Sequence, residues 1–149
     1  MNDSFRQSSS RRVVSRASAA DVGRLGHLLV DAEQRRITAV VVGKGRKARL
    51  VDWDEIIGFG PDAVIISDDA AARPPADDHE GAAAHGEFEL VGRRVLTDRG
   101  TEVGVVDDVT FDPGTGSVLA LLVGEREVPA GALLGSGSYA VVINAVAED

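Results

Sequence analysis

Three histidines and three clusters of charged or glycine-rich residues are where this 149-residue chain could do chemistry. A metal site needs ligands that converge, usually with supporting hydrogen bonds behind them. His79 and His85 lie in an Ala/Pro/acid-rich stretch, and His27 lies far away in an apolar alternating run, so no metal site is expected. Asp107, Asp108 and Asp112 lack the close alternating spacing and terminal bidentate Glu of a calcium loop. They read as a solvated acidic strand edge and turn. Gly135-Ser136-Gly137-Ser138 lacks the Lys and following helix of a phosphate loop. No G-x-S-x-G nucleophile elbow occurs. The basic run Lys44, Arg46, Lys47, Arg49 has no interleaved aromatics and reads as a solvated loop. Cysteine is absent, which removes disulfides, thiol catalysis and thiolate metal ligation. We therefore expect no catalytic residue, no cofactor and no metal.

The elements around these residues are arranged as a duplication. DVGRLGHLLVD at 21–31 lies over EVGVVDDVTFD at 102–112, and ITAVVVG at 37–43 over VLALLVG at 118–124, both displaced by 81 positions. Past the loop KGRKAR the displacement falls to 77: VDWDEIIGFG at 51–60 lies over VPAGALLGSG at 128–137, and AVIIS at 63–67 over AVVIN at 140–144. A single length change placed in a loop is what a duplicated fold tolerates.

Each copy has the pattern of β structure. Val103, Val105, Val109 and Phe111 share one parity, and Glu102, Asp108, Thr110 and Asp112 the other, which marks a half-buried strand. Asp107 interrupts the apolar side, as does its counterpart Gly26, and this predicts a β-bulge or bend at that point in both copies. Asp112-Pro113-Gly114-Thr115-Gly116 is a turn in which Pro presets φ and Gly supplies a positive φ. WDEIIG and AGALLG each predict one short helical turn, ended by Gly58 and Gly135. The expected fold class is all-β: two small barrels in tandem, each with a short helical turn. The expected boundaries are a disordered tail over 1–11, repeat 1 over 12–67, a flexible acidic Ala/Pro-rich linker over 68–88, and repeat 2 over 89–146.

The run LVGRRVLTDRGTEVGVVDDVTFDPGTGSVLALLVGEREVPAGALLGSGSYAVVI resembles a PRC-barrel domain. The features that carry this are the turn Asp98-Arg99-Gly100, an acidic residue before Val-Gly, the V-x-D-V-x-x-D run, and a Val-Pro segment leading into a helical turn. The first copy is more divergent: Ala17-Ser18-Ala19-Ala20 replaces the D-x-x-G turn, and L-G-H-L replaces V-x-D-V. The resemblance implies a small, strongly bent β-barrel that binds other proteins and has no conserved catalytic residues. Known members include part of a ribosome maturation factor and part of a photosynthetic reaction-centre subunit. Nothing here resembles the remaining parts of either, so neither role transfers.

The expected function is thus a non-catalytic adaptor that binds a protein partner or itself, for instance as a homodimer. The alternative is a small-ligand- or metal-binding regulatory module. The net charge of −8 argues against nucleic acid. No apolar run approaches the ~20 residues that span a bilayer, and no secretory h-region is present; a cytoplasmic location is expected. Residues 1–67 carry 11 Lys and Arg against 8 Asp and Glu, whereas residues 88–149 carry 4 against 10. The residues expected to meet a partner are Leu25, His27, Leu29 and Trp53 in the first copy, and Glu102, Asp108 and Asp112 in the second. Leu25, Leu29 and Val106 are expected on outward faces, and the three acids in one outward stripe. ITAVVV and VLALLV are apolar on both parities, so a cover over their outer side is expected.

Overall fold

The computed structural model describes residues 2–145; Met1 of the expected tail and Val146, the expected end of repeat 2, lie outside the described residues. The chain opens with a two-residue strand, β1 (Asp3–Ser4), and one helical turn, α1 (Phe5–Ser8). Repeat 1 follows as β2 (Arg12–Ser15), β3 (Asp21–Asp31), β4 (Arg36–Val42), β5 (Arg49–Asp52), β6 (Ile56–Phe59) and β7 (Ala63–Ile66). A helix, α2 (Asp78–Ala84), precedes repeat 2, which consists of β8 (Arg94–Thr97), β9 (Glu102–Phe111), β10 (Val118–Val123), β11 (Arg126–Pro129), β12 (Leu133–Ser136) and β13 (Ala140–Ile143). The strand orders are β5-β4-β3-β2-β7-β6 and β11-β10-β9-β8-β13-β12, the same path twice. In each path one pair is parallel, β2 with β7 and β8 with β13. Neither path closes on itself among the described residues.

The expected bulge is present in both copies. The β3–β4 register shifts between Leu25/Val42 and Leu28/Val40, and the β9–β10 register shifts between Asp108/Leu122 and Val106/Val123. One extra residue reverses the parity of the residues before it, as far as the next bulge, at Val22 in β3 and Val103 in β9. Leu25 and Val106 therefore point inward, 2% and 0% exposed, and Val105 points outward at 47%. The expectation that Leu25 and Val106 lie on outer surfaces is corrected, because it carried a single parity through the bulge. Gly58 and Gly135 do not end helices. Single 3₁₀ turns, Trp53–Glu55 and Ala130–Ala132, pass directly into β6 and β12, and the two glycines sit at bulges inside those strands.

The two repeats share one core. Phe111 of β9 packs edge-on against Phe59 of β6, with centroids 5.3 Å apart, and against Phe5 of α1 at 5.7 Å. The hairpin ends also meet: Arg36 pairs with Ser117, the Ile37 N–H donates to the Gly116 carbonyl at 2.8 Å, and the Val118 N–H donates to the Arg35 carbonyl at 2.9 Å.

Both connecting segments differ from expectation. The tail expected to be disordered is instead built in: β1 pairs with β9, Phe5 is 6% exposed, and Asp3 meets Arg11 at 2.6 Å. The linker expected to be flexible carries α2, whose Ala83 and Ala84 are buried. Asp77 caps that helix by accepting from the Glu80 N–H at 2.8 Å. Ala84 closes a small apolar cluster with Val41, Ala48, Leu50 and Leu29 on the outer face of repeat 1. This is the cover that ITAVVV required. In repeat 2 the positions matching Leu29, Ala48 and Leu50 are Thr110, Glu125 and Glu127. That face is wetter and carries no counterpart of α2 among the described residues, and Leu119 stays 39% exposed.

Candidate interaction surface

The residues singled out as partner-binding do not converge. Leu25 is in the core, and Leu29 lies under Ala84. His27 sits at the bulge of β3 with Nδ1 3.5 Å from Glu89 and its ring edge over Gly86. Trp53 stacks on Phe59 at 5.8 Å and covers the turn of the other repeat so closely that a Cβ on Gly116 would fall 2.8 Å from its ring. Trp53 is thus an internal clamp between the repeats. The three acids do not stand free as a stripe. Asp108 is engaged by the backbone N–H of Arg6 at 3.0 Å, Asp112 closes its own turn onto the Gly114 N–H at 2.8 Å, and Glu102 stands beside Arg94 at 3.4 Å. Two register shifts, at Val103 and at Asp107, separate Glu102 from Asp108, so both face outward, but each is taken up by a local partner.

A different surface emerges from the strand alternation. Val13, Val64 and Ile66 are fully buried, so Val14 and Ile65 between them point outward and are half-buried. Val14 pairs with Ile65, which faces Gly58, and Ile57 beside that glycine is 48% exposed. Repeat 2 repeats this row. Leu96 pairs with Val142, Val142 faces Gly135, and the adjacent Leu134 is 47% exposed. Each row ends in an ion pair at the surface, Arg12 with Asp21 and Arg94 with Glu102. The two rims differ. Repeat 2 adds Tyr139, 67% exposed, with the Arg94 guanidinium over its ring at 4.6 Å, and it adds Val105; repeat 1 has Asp62 and Arg24 in their places. Aliphatic side chains held on the solvent side of a sheet in both copies form a patch that lowers its free energy by being covered. Arg and Tyr at the rim are the residue types that anchor interfaces. The sequence pattern does not reveal this row, because RVVS, AVII, RVLT and AVVI look the same whether the outward residue is covered or not.

Two of the open clefts elsewhere are lined by the segments that lead into the repeats. One, of about 440 Å³, runs between α2 and the outer face of repeat 1, with Leu29, Ala39 and Leu50 as floor and His79, Glu80 and Phe88 as wall. The Arg73 guanidinium, 2.7 Å from Glu80 and 2.9 Å from Asp52, ties the helix to β5 and holds the Glu80 carboxyl down at about 2. The other cleft, of about 250 Å³, is lined by Phe5, Arg6, His27 and Glu89. Among the described residues no three His, Cys, Asp or Glu side chains converge as metal ligands, and no helix is long and apolar enough to cross a membrane.

No curated protein matches the chain significantly. The PRC-barrel domain pattern matches residues 9–73 and again residues 86–146. With both strand paths built alike and most of the chain covered by those two matches, the chain belongs to the PRC-barrel domain family as a tandem pair.

Proposed function

We propose that this protein is a non-catalytic adaptor of the cytoplasm that binds protein partners through the two outward aliphatic rows, Val14-Ile65-Ile57 and Leu96-Val142-Leu134. The observation that carries this reading is the repetition. The same three outward positions are aliphatic in both copies, although the α2 cover over the β4–β5 face of repeat 1 has no counterpart over β10–β11 among the described residues. Solubility alone favours polar residues at such positions. The different rims make the two sites unequal, with the Tyr139 and Arg94 side expected to bind more tightly.

A photo-crosslinking amino acid placed at Ile57 or at Leu134 in the source cells tests this. Both positions should trap the same protein, and exposed Glu33 should not. Leu96→Asp should abolish the Leu134 adduct while leaving the circular dichroism spectrum unchanged. Equal trapping from Glu33, or none from either row, would return the rows to ordinary surface. The cleft beside α2 favours a second reading, a small-ligand regulatory module, since it combines an apolar floor with a few polar groups. Stabilisation by a small-molecule extract that Ala83→Trp abolishes would favour it.

A further inference from the structure

The structure points to a second docking site, independent of the outward rows: the open edge of β11. The first repeat shows how such an edge is used. In β5, Leu50 is paired outward with Arg73, donating its N–H to the Arg73 carbonyl at 2.7 Å and accepting from the Arg73 N–H at 2.9 Å. The chain thereby adds a short stretch of extended backbone to its own sheet edge, and Arg73 fastens it to Asp52 and Glu80. Leu50 lies opposite Val41, and Glu127 lies opposite Leu122 in the matching register of repeat 2. In an antiparallel ladder the hydrogen-bonding direction alternates along the strand. Glu127 must therefore direct its N–H and C=O away from β10, as Leu50 does away from β4. β11 pairs with β10 and with no other strand among the described residues.

We propose that this edge takes an extended, basic segment of a partner protein, added as a further antiparallel strand with a Lys or Arg opposite Glu127. The choice of a basic occupant rests on charge. Glu125, Arg126 and Glu127 are all exposed, and the two glutamates stand where repeat 1 has Ala48 and Leu50. An acidic edge disfavours pairing with a second acidic edge and favours a basic strand. Leu122 and the exposed Leu119 lie on the same outer face and offer an apolar ledge to the alternate residues of the incoming strand. Main-chain hydrogen bonds with side-chain selection are the general mode of strand addition.

The test uses the full chain, labelled with nitrogen-15, and the capped peptide Ala-Ala-Ala-Arg-Pro-Pro-Ala, the sequence of residues 70–76. At millimolar peptide, saturable amide shifts should centre on Arg126–Val128 and Leu122. They should be absent from Ile57 and Leu134, which separates this site from the outward rows. A peptide with Glu in place of Arg should not bind. Glu127→Pro removes the outward donor without removing a β10–β11 bond, a place where an edge strand tolerates Pro, and should abolish the shifts. Glu127→Lys, which alters only the exposed side chain, should weaken binding about tenfold. Absence of saturable shifts at β11, or shifts unchanged in both variants, would overturn the proposal.

Discussion

Arg36 and Ser117 face each other across an antiparallel bridge, and each holds the same place in its repeat, 81 positions apart. The flanking hydrogen bonds, Ile37 N–H to Gly116 and Val118 N–H to Arg35, exchange under the same displacement. The two repeats therefore meet as the halves of a twofold dimer meet, by equivalent surfaces. The lead-in segments follow the same exchange. Asp3–Ser8 lies on β9 of repeat 2, and the stretch containing Ala84, Gly86 and Glu89 lies on β3 and β4 of repeat 1.

The clamp between Trp53 and Gly116 gives the first prediction. Gly116 has φ of +80°, and Trp53 leaves no room for a Cβ. Gly116→Ala should cost about 3 kcal/mol, from the left-handed backbone and the lost ring packing together. Trp53→Ala alone should cost about as much. Trp53→Ala also opens the space that the methyl group of Gly116→Ala needs. Urea denaturation of the double variant should therefore show clearly less than the summed loss. Full additivity would mean that the two residues do not touch.

Ala19 holds φ of +55° at the place where repeat 2 has Gly100 with φ of +85°. The left-handed region strains an Ala and leaves a Gly unstrained. Ala19→Gly should raise stability by about 1 kcal/mol, and Gly100→Ala should lower it by about as much. Thermal melts of the two variants should move in opposite directions.

The N-terminal segment should behave as part of the fold. The side chains of Asp3 and Arg11 are 11% and 9% exposed, and Arg11 also donates to the Gly60 carbonyl at 2.8 Å. Removing one partner of a buried pair strands the other, so Asp3→Ala should cost about 3 kcal/mol. Phe5→Ala should cost a similar amount. A chain lacking residues 1–8 that melted like the full protein would show that this segment is not docked in solution.

Attachment of α2 should depend on acid. The Arg73 guanidinium, aided by the Ala76 N–H, holds the Glu80 carboxyl down at about 2, from its ordinary 4.5. A carboxyl lowered on folding contributes stability that is complete above its unfolded pKa and fades as pH falls toward the folded value. The protection of the Ala83 and Ala84 amides, measured relative to the intrinsic exchange rate at each pH, should therefore be high at neutral pH and fall between about pH 4.5 and 2. Glu80→Gln should lower that protection at neutral pH and flatten its acid dependence. Unchanged protection down to about pH 2 would detach Glu80 from this role.

The repeat, its loop deletion after β4, the Asp112–Gly116 turn and both bulges are legible in the residues, because each rests on local backbone chemistry or on a pattern that occurs twice; a second length change, one residue more in the turn after β2 than in the turn after β8, falls outside the matched blocks. The direction of side chains beyond a bulge is not, since one extra residue inverts the parity and misplaces Leu25 and Val106. The packed connections are hidden for another reason. The tail presents one aromatic, Phe5, among polar residues, and α2 buries only alanines, so neither shows an apolar period. The acidic stripe fails for a third reason: Arg94, Arg6 and the turn at Gly114 take up its three carboxylates one by one, and one of these partners, Arg6, lies far away in sequence. Trp53 is visible as an unduplicated residue, but its partner Gly116 lies in the other copy, beyond the reach of any local pattern.

The pairing of β1 with β9 also sets an order of events during synthesis. Asp3 finds its strand partner in Phe111, so the segment Asp3–Ser8 has nowhere to dock until β9 has left the ribosome. Repeat 1 meanwhile lacks the lead-in segment of repeat 2 that covers its outer face. Such long-range closure is slow to form and leaves apolar surface exposed on the nascent chain. The fold is complete only when Asp3–Ser8 and β9 are both available, and a chain stalled before β9 would present Phe5 to the cell's quality-control machinery.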